Sequence, residues 1–261
     1  GQADAPTLTL ASTAITGTED QSGGIALNVT GALTDTTGES LQLLITGAPA
    51  GSTFTSADGT VIHETVSATG VSYWAVDGSD ISGLVMNAPE NWNGTVSLGL
   101  ELISSEDGTT ASTTGTLDVT VSAVNDAPEV DVLTHSSYDN DYNGPVYVIA
   151  DQADGTSGLT VSDVDSTTLS HMDIAITGGL QEGDSLSIYG QTVSIDLDGN
   201  LTVTVDGSTL TMSYDASTST LSFDGDASSS AYQTLAGSVV LTSSTGTLDE
   251  GTRTISVTTY D

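Results

Sequence analysis

Apolar residues recur at every second position along most of the chain. Residues 96–102, VSLGLEL, are apolar at Val96, Leu98, Leu100 and Leu102, and TLDVTV at 116–121 sets Leu117, Val119 and Val121 on one face. In the second half, VSIDL at 193–197 and LTVTV at 201–205 alternate in the same way. A period of two with one apolar face predicts half-buried strands of antiparallel sheets. Val, Ile and Thr are the residues that pack well on such a pleated surface. Asp198-Gly199 and Asp206-Gly207 separate VSIDL, LTVTV and TLTMSY (209–214), and such pairs suit the positive φ of tight hairpins, so a three-stranded meander is expected there. No segment carries a convincing helical period. Many short strands between regular turns predict an all-β chain of two tandem antiparallel β-sandwich domains.

An internal echo divides the chain. DAPTL at 4–8 returns as DAPEV at 126–130, and self-similarity at a long spacing marks tandem domains. The expected organisation is a first sandwich over 1–124, a linker over 125–128 and a second sandwich over 129–261. A length of 261 residues is comfortable for two such domains.

Charge narrows the function classes. The chain has one Lys or Arg, which is Arg253, against 35 Asp or Glu, giving a formal net charge of −34. Nucleic acid and anionic membrane surfaces need clustered cations, so neither is an expected partner. No apolar run is long enough to span a bilayer, and GQADAPTLTL does not read as a secretory signal, so a mature or excised segment is expected. A disordered acidic tail would lack these alternating runs; the chain reads as folded. Its self-repulsion then needs an offset, for which divalent cations are the natural candidates. With no cysteine, disulfides cannot hold the domains. That absence suits a bacterial surface protein fastened by metal.

Strands of the first domain are expected near 7–15, 25–29, 41–45, 96–103 and 116–122. Alternating their directions puts Glu19 and Asp20 at the end facing the second domain, and Asp35, Glu39, Glu106 and Asp107 at the outer end near Asp4. In the second domain, VSDVDST supplies Asp163 and Asp165, and the strand RTISVTTY runs into Asp261. The junction should therefore gather Glu19, Asp20, Asn125, Asp126, Asp163, Asp165 and Asp261. Ordinary solvated loop acids are the plain alternative for any one of them, but the clustering of the set favours Ca²⁺, which takes about 6–8 oxygen ligands in irregular geometry. Zn²⁺ prefers Cys and His, and Mg²⁺ demands near-ideal octahedra.

AVNDAPEV at 123–130, behind the strand TLDVTVS, resembles the inter-domain linker of cadherin-like and immunoglobulin-like repeats in large bacterial calcium-dependent RTX adhesins. TGTEDQ (16–21), APENWNGTVSLGLELISSEDG (88–108) and LTVSDVDSTTL (159–169) are similar to loops and strands of those repeats. AYQTLAGSVVLTSS and GTRTISVTTYD, within 231–261, are similar to their strands E and F. The resemblance implies an extracellular rod on a bacterial cell surface, stiffened by Ca²⁺ held between domains and projecting a ligand-binding tip. Asn125 and Asp126 would be linker ligands, Asp163 and Asp165 would come from the following domain, and Glu19 and Asp20 from the preceding one. The partners implied are neighbouring domains of the same adhesin chain and a glycan or peptide at the tip, with the segment itself a monomer. Two departures stand out. The closing strand of the second domain is missing, which implies a truncated or split domain, and GGLQEGD (178–184) lacks the spacing of a nonapeptide β-roll.

Other candidates are weaker. DNDYNG at 139–144 matches the start of a calcium loop through Asp139, Asp141 and Asn143, but the twelfth position is Ala150, so an EF-hand is rejected and a partial loop or a polar turn remains. His63, His135 and His171 are scattered and read as structural or surface residues. No nucleophile elbow or phosphate loop occurs, and aromatics make up only 5% of the chain, few for a glycosidase cleft, so a non-enzyme is expected. Trp74 and Trp92 read first as core, second as a patch for sugar or peptide. The competing functional reading is accordingly a Ca²⁺-dependent sugar- or peptide-binding module of the same adhesin.

Overall fold

Period-two alternation becomes strand almost everywhere it occurs. The computed structural model describes residues 1–132, 146–148, 159–177, 180, 182–242 and 254–261. Its chain divides into two compact units, Gly1–Val124 and Asn125–Asp261. Each is a β-sandwich whose strands pair antiparallel, apart from one parallel pair in unit 1.

Unit 1 contains β1 (Thr7–Leu10), β2 (Ala14–Thr18), β3 (Ile25–Ala26), β4 (Val29–Ala32), β5 (Ser40–Thr46), β6 (Thr53–Thr55), β7 (Val61–Ile62), β8 (Thr65–Val66), β9 (Ser72–Asp77), β10 (Val85–Asn87), β11 (Gly94–Glu106) and β12 (Thr109–Ser122). One sheet runs β2-β12-β11-β5-β9-β8 and faces β3-β10-β6-β7, while β1 and β4 form a separate pair. The long β11–β12 hairpin turns at Asp107 and Gly108, whose φ values of 45° and 81° are those a tight hairpin turn requires. Leu98, Leu100 and Leu102 of β11 and Leu117, Val119 and Val121 of β12 are all at most 2% exposed. Burying a side chain of this size stabilises by about 1.5–3 kcal/mol. Trp74 is core rather than patch: it is fully buried, meets Phe54 edge-on at 5.6 Å, and its indole N–H donates to the Ser52 carbonyl at 2.8 Å. Trp92 packs half-buried against the same core. The strand that opens the domain is divided between sheets, β1 pairing with β4 and β2 running parallel to β12 with Thr18 beside Ser122. This pairing brings the turn after β2 to the end of the sandwich where the chain leaves unit 1.

Unit 2 contains β13 (Glu129–Val132), β14 (Val146–Val148), β15 (Leu159–Ser162), β16 (Thr168–Thr177), β17 (Ser185–Ile188), β18 (Gln191–Ser194), β19 (Gly199–Val205), β20 (Ser208–Asp215), β21 (Thr220–Ser228), α1 (Ser229–Gly237), β22 (Val240–Thr242) and β23 (Thr254–Tyr260). Its sheets run β19-β20-β21-β16-β23 and β14-β22-β17-β18, with β13 paired to β15.

Two expectations are corrected here. VSIDL and LTVTV do not form one hairpin: β18 pairs with β17, and the chain crosses to the other sheet before β19. Asp198 does not make a turn between them, because its carboxylate accepts the Ala216 amide at 2.9 Å and so serves a turn elsewhere. The second hairpin, at Asp206-Gly207, does form, with φ of 49° and 81°. The second correction is α1, which lies where a strand was expected. Ser228 caps it by accepting the Ala231 amide at 3.0 Å, and Ala231, Tyr232, Leu235 and Ala236 form its buried face. That spacing is helical, but the helix is too short for it to stand out from the serines before it.

Candidate metal centre

Backbone pairing fixes the acids of unit 1 at two ends. At the end where the chain leaves the unit, the Glu19 amide donates to the Ser122 carbonyl at 2.9 Å, extending the β2–β12 pairing by one residue. The Glu19 side chain is only 4% exposed. Its Oε1 accepts the Val124 amide at 2.6 Å and its Oε2 accepts Nδ2 of Asn93 at 2.9 Å. The bond from Asn93, then that from Val124, holds this carboxyl below the usual glutamate range despite its burial. Asp20 follows in the left-handed region (φ 52°), and its Oδ1 accepts the Asn91 amide at 3.0 Å. The loop Asn91-Trp92-Asn93 thus lies against the Glu19-Asp20 turn.

At the opposite end, Asp107 Oδ2 lies 2.5 Å from the Gly1 ammonium and Glu106 Oε1 lies 3.5 Å from it. Glu39 Oε1 accepts the Asp4 amide at 2.7 Å, and Asp35 Oδ1 accepts the Thr37 amide at 2.8 Å. Asp4, Asp35, Glu39, Glu106 and Asp107 are thus at one end, yet among the described residues no three of their carboxylates converge.

Unit 2 does bring three carboxylates together. The turn between β15 and β16 curls around Asp163, whose Oδ1 accepts the amides of Asp165 at 3.1 Å and Ser166 at 2.8 Å. This local bonding is what an Asp in a turn does well. The same curl aims the Asp165 carboxylate back, where its Oδ2 accepts the Asp126 amide at 3.2 Å. Asp261, one residue beyond β23, completes the group: carboxylate oxygens of Asp163, Asp165 and Asp261 all lie within 4.8 Å of one another. Asp163 Oδ2 is buried and has no hydrogen-bond partner. Burial works against ionisation of Asp163, but the amides of Ser166 and Asp165 outweigh it and hold the carboxyl below its ordinary range. Asp165 moves the other way, pushed up chiefly by its contact with Asp163. Two carboxylates this close resist joint ionisation unless a cation or a proton lies between them.

An all-oxygen donor set with one orphaned, buried carboxylate oxygen fits a hard cation such as Ca²⁺ and does not fit Zn²⁺. Asp163, Asp165 and Asp261 are the residues that would hold it. Asn125 contributes a side-chain bond to the Asp126 carbonyl at 3.4 Å. Asp139, Asp141 and Asn143 lie outside the described residues. Asn91, Asn93 and Ser166, which position the acids, were not singled out from the sequence; the alternate asparagines of Asn91-Trp92-Asn93 before Gly94 were the available signal.

No protein-family model matches the chain. No curated protein matches it either. Among solved structures it is similar to fibronectin(III)-like modules of CbhA from Clostridium thermocellum, at 16% identity over 85% of this chain and 91% of that one, with a TM-score of 0.19. It is also similar to a chaperone–tip adhesin complex of CFA/I fimbriae, at 11% identity over 98% of this chain and 84% of that one, with a TM-score of 0.26. Overlaps this weak do not indicate what the chain binds.

Proposed function

We propose that the chain is a calcium-rigidified extender segment of a bacterial cell-surface adhesin. The observation that carries the reading is the convergence of Asp163, Asp165 and Asp261 around the unpartnered Asp163 Oδ2. Left metal-free, that group holds like charges together, offset only by the backbone amides of Asp126, Asp165 and Ser166 and by the raised proton affinity of Asp165. A Ca²⁺ ion would supply the missing charge and take up the orphaned lone pair.

Chain connectivity supports extending the site to the linker. Val124, held by Glu19, is followed directly by Asn125 and Asp126, and the Asp126 amide is held by Asp165. Ions shared by Glu19, Asp20, Asn125 and Asp126 with the three aspartates would fix the angle between the two sandwiches. Without metal the linker would bend freely; with metal the segment would act as a stiff spacer. Extracellular calcium modules bind at about 10⁻⁴–10⁻³ M, so calcium outside a cell would fill such sites while cytosolic calcium would not.

Melting and small-angle scattering in millimolar Ca²⁺ and in excess EGTA test the reading. Chelation should lower the melting temperature and enlarge the spread of inter-domain angles. Identical melting curves and scattering profiles in the two conditions would reject it.

A further inference from the structure

Asn93 and Gly94 make one of the two Asn-Gly pairs in the chain; the other, Asn143-Gly144, lies outside the described residues. Asparagine is thermolabile. Its carboxamide carbon is open to attack by the amide nitrogen of the next residue, and a glycine there, with no Cβ, leaves the approach clear. In unit 1 the fold itself demands the glycine. Gly94 opens β11 with φ 142°, a conformation that residues with a Cβ rarely adopt, and an added Cβ would lie 3.3 Å from the Trp92 ring. A bulkier residue that would shield Asn93 does not fit.

The position gives the reaction a consequence. Asn93 is exposed, in the loop between β10 and β11. Its Nδ2 donates to Oε2 of Glu19 at 2.9 Å, and the Val124 amide donates to Oε1 at 2.6 Å. These two bonds hold a carboxylate that is only 4% exposed. Turning the Asn93 carboxamide into a carboxylate removes the donor that Oε2 depends on.

We propose that Asn93 is a site of spontaneous deamidation, and that its conversion is a one-way timer that releases Glu19. The Gly94 nitrogen bonds to Cγ of Asn93 and the Cγ–Nδ2 bond breaks; the Gly94 amide proton leaves with Nδ2 as ammonia. The product is a five-membered succinimide. Water then adds to one of the two ring carbonyl carbons as the bond from that carbon to the Gly94 nitrogen breaks, and a proton returns to that nitrogen. Opening at Cγ gives aspartate. Opening at the backbone carbonyl gives isoaspartate, whose main chain runs through Cγ and is one carbon longer. One water is consumed and one ammonia released, with no oxidation or reduction. Aspartate at this place sets a like charge against Glu19 where a donor stood, and two carboxylates this close resist joint ionisation. Isoaspartate lengthens the chain directly before Gly94, which is paired with Val121.

The test ages the whole chain in warm, mildly alkaline buffer, with a urea-denatured sample alongside as the unrestrained reference. All measurements are made in EGTA, so no outcome depends on the calcium reading. Peptide mapping by mass spectrometry should place the early amide-to-acid mass gain at Asn93, ahead of Asn28, Asn87, Asn91, Asn125 and Asn200, with isoaspartate detected at the same position by isoaspartyl methyltransferase. Asn93→Gln, which keeps a carboxamide but would have to close a less favourable six-membered ring, should lose that gain. Asn93→Asp, made directly, should lower the melting temperature of unit 1 by roughly 5 °C or more, as expected for losing a hydrogen bond to a buried carboxylate. The aged fraction should shift in the same direction. Three results would overturn the proposal: Asn93 intact in the folded chain while the urea sample converts it, conversion no faster there than at the other asparagines, or melting unchanged in both Asn93→Asp and the aged fraction.

Discussion

Single residues decide where charge accumulates in this molecule. Asp163 holds two amides with one oxygen and leaves the other buried and unpartnered. Asp163→Asn keeps an oxygen for those amides and removes the charge. The variant should bind Ca²⁺ at least about tenfold more weakly, as expected when a charged ligand is lost from a cluster of three. Asp165→Asn, at the carboxyl that Asp163 pushes up, should bind Ca²⁺ more weakly too and should melt higher than the wild type in EGTA, because it relieves repulsion there. A variant that merely misfolds would melt lower in both conditions, so calorimetry with and without chelator separates the cases. His171, on the outer face of the five-stranded sheet, makes a second charge-sensitive contact. Nδ1 lies 2.6 Å from Asp224 Oδ1 and Nε2 lies 2.8 Å from Asp173 Oδ1. Burial alone would depress its pKa, but Asp224 and then Asp173 overcome that and raise it above 6.5. The imidazolium therefore stabilises the folded state fully below the unfolded value, and the contribution is lost as pH rises through the higher folded value. NMR titration should give a His171 pKa above that of a free histidine, and His171→Gln should flatten the stability profile across the same window. Of the carboxylate cluster, the two aspartates of VSDVDST and Asp261 at the end of RTISVTTY were legible in the sequence, because a turn and a strand end placed by alternation bring them to one end of the sandwich. Asn93 was not, because its bond to Glu19 closes a separation of 74 residues.

Elements follow from local chemistry wherever one rule acts alone. β11 and β12 were legible because alternation, β-branching and an Asp-Gly turn all agree. α1 was hidden because Ser228, Ser229 and Ser230 read as a loop and only nine residues carry the helical spacing. Ser228→Ala should remove its cap and destabilise unit 2 by about 1 kcal/mol in urea denaturation. The crossing between β18 and β19 was hidden because alternation says which face is buried but not which sheet a strand joins. At the end of β5, Gly47 has φ 86°, and a Cβ there would lie 2.4 Å from the Ser97 carbonyl oxygen. Gly47→Ala should therefore cost unit 1 on the order of 1–3 kcal/mol, read as a shift in its denaturation midpoint, with unit 2 unaffected.

At the scale of the whole molecule, charge is the dominant constraint. A net charge of −34 over 261 residues, with Arg253 the single Lys or Arg, sets the folded state against its own field. Stability should therefore rise with added salt even when Ca²⁺ is absent, and should rise further with millimolar Ca²⁺ at fixed ionic strength. The first effect is screening, and the second is specific binding. The division into two sandwich units was legible from the DAP echo and from the absence of long helical periods.

The central claim, that calcium is held where the linker meets the aspartates of unit 2, is tested most directly by a Ca²⁺ titration followed through backbone amide chemical shifts. Saturable shifts centred on Asp126, Asp163, Asp165, Ser166 and Asp261, with Glu19 and Asp20 moving at the same calcium concentrations, are the result expected. Shifts absent there, or drifting without saturation over the whole acidic surface, would contradict the account and reduce the acidity to a property of solubility.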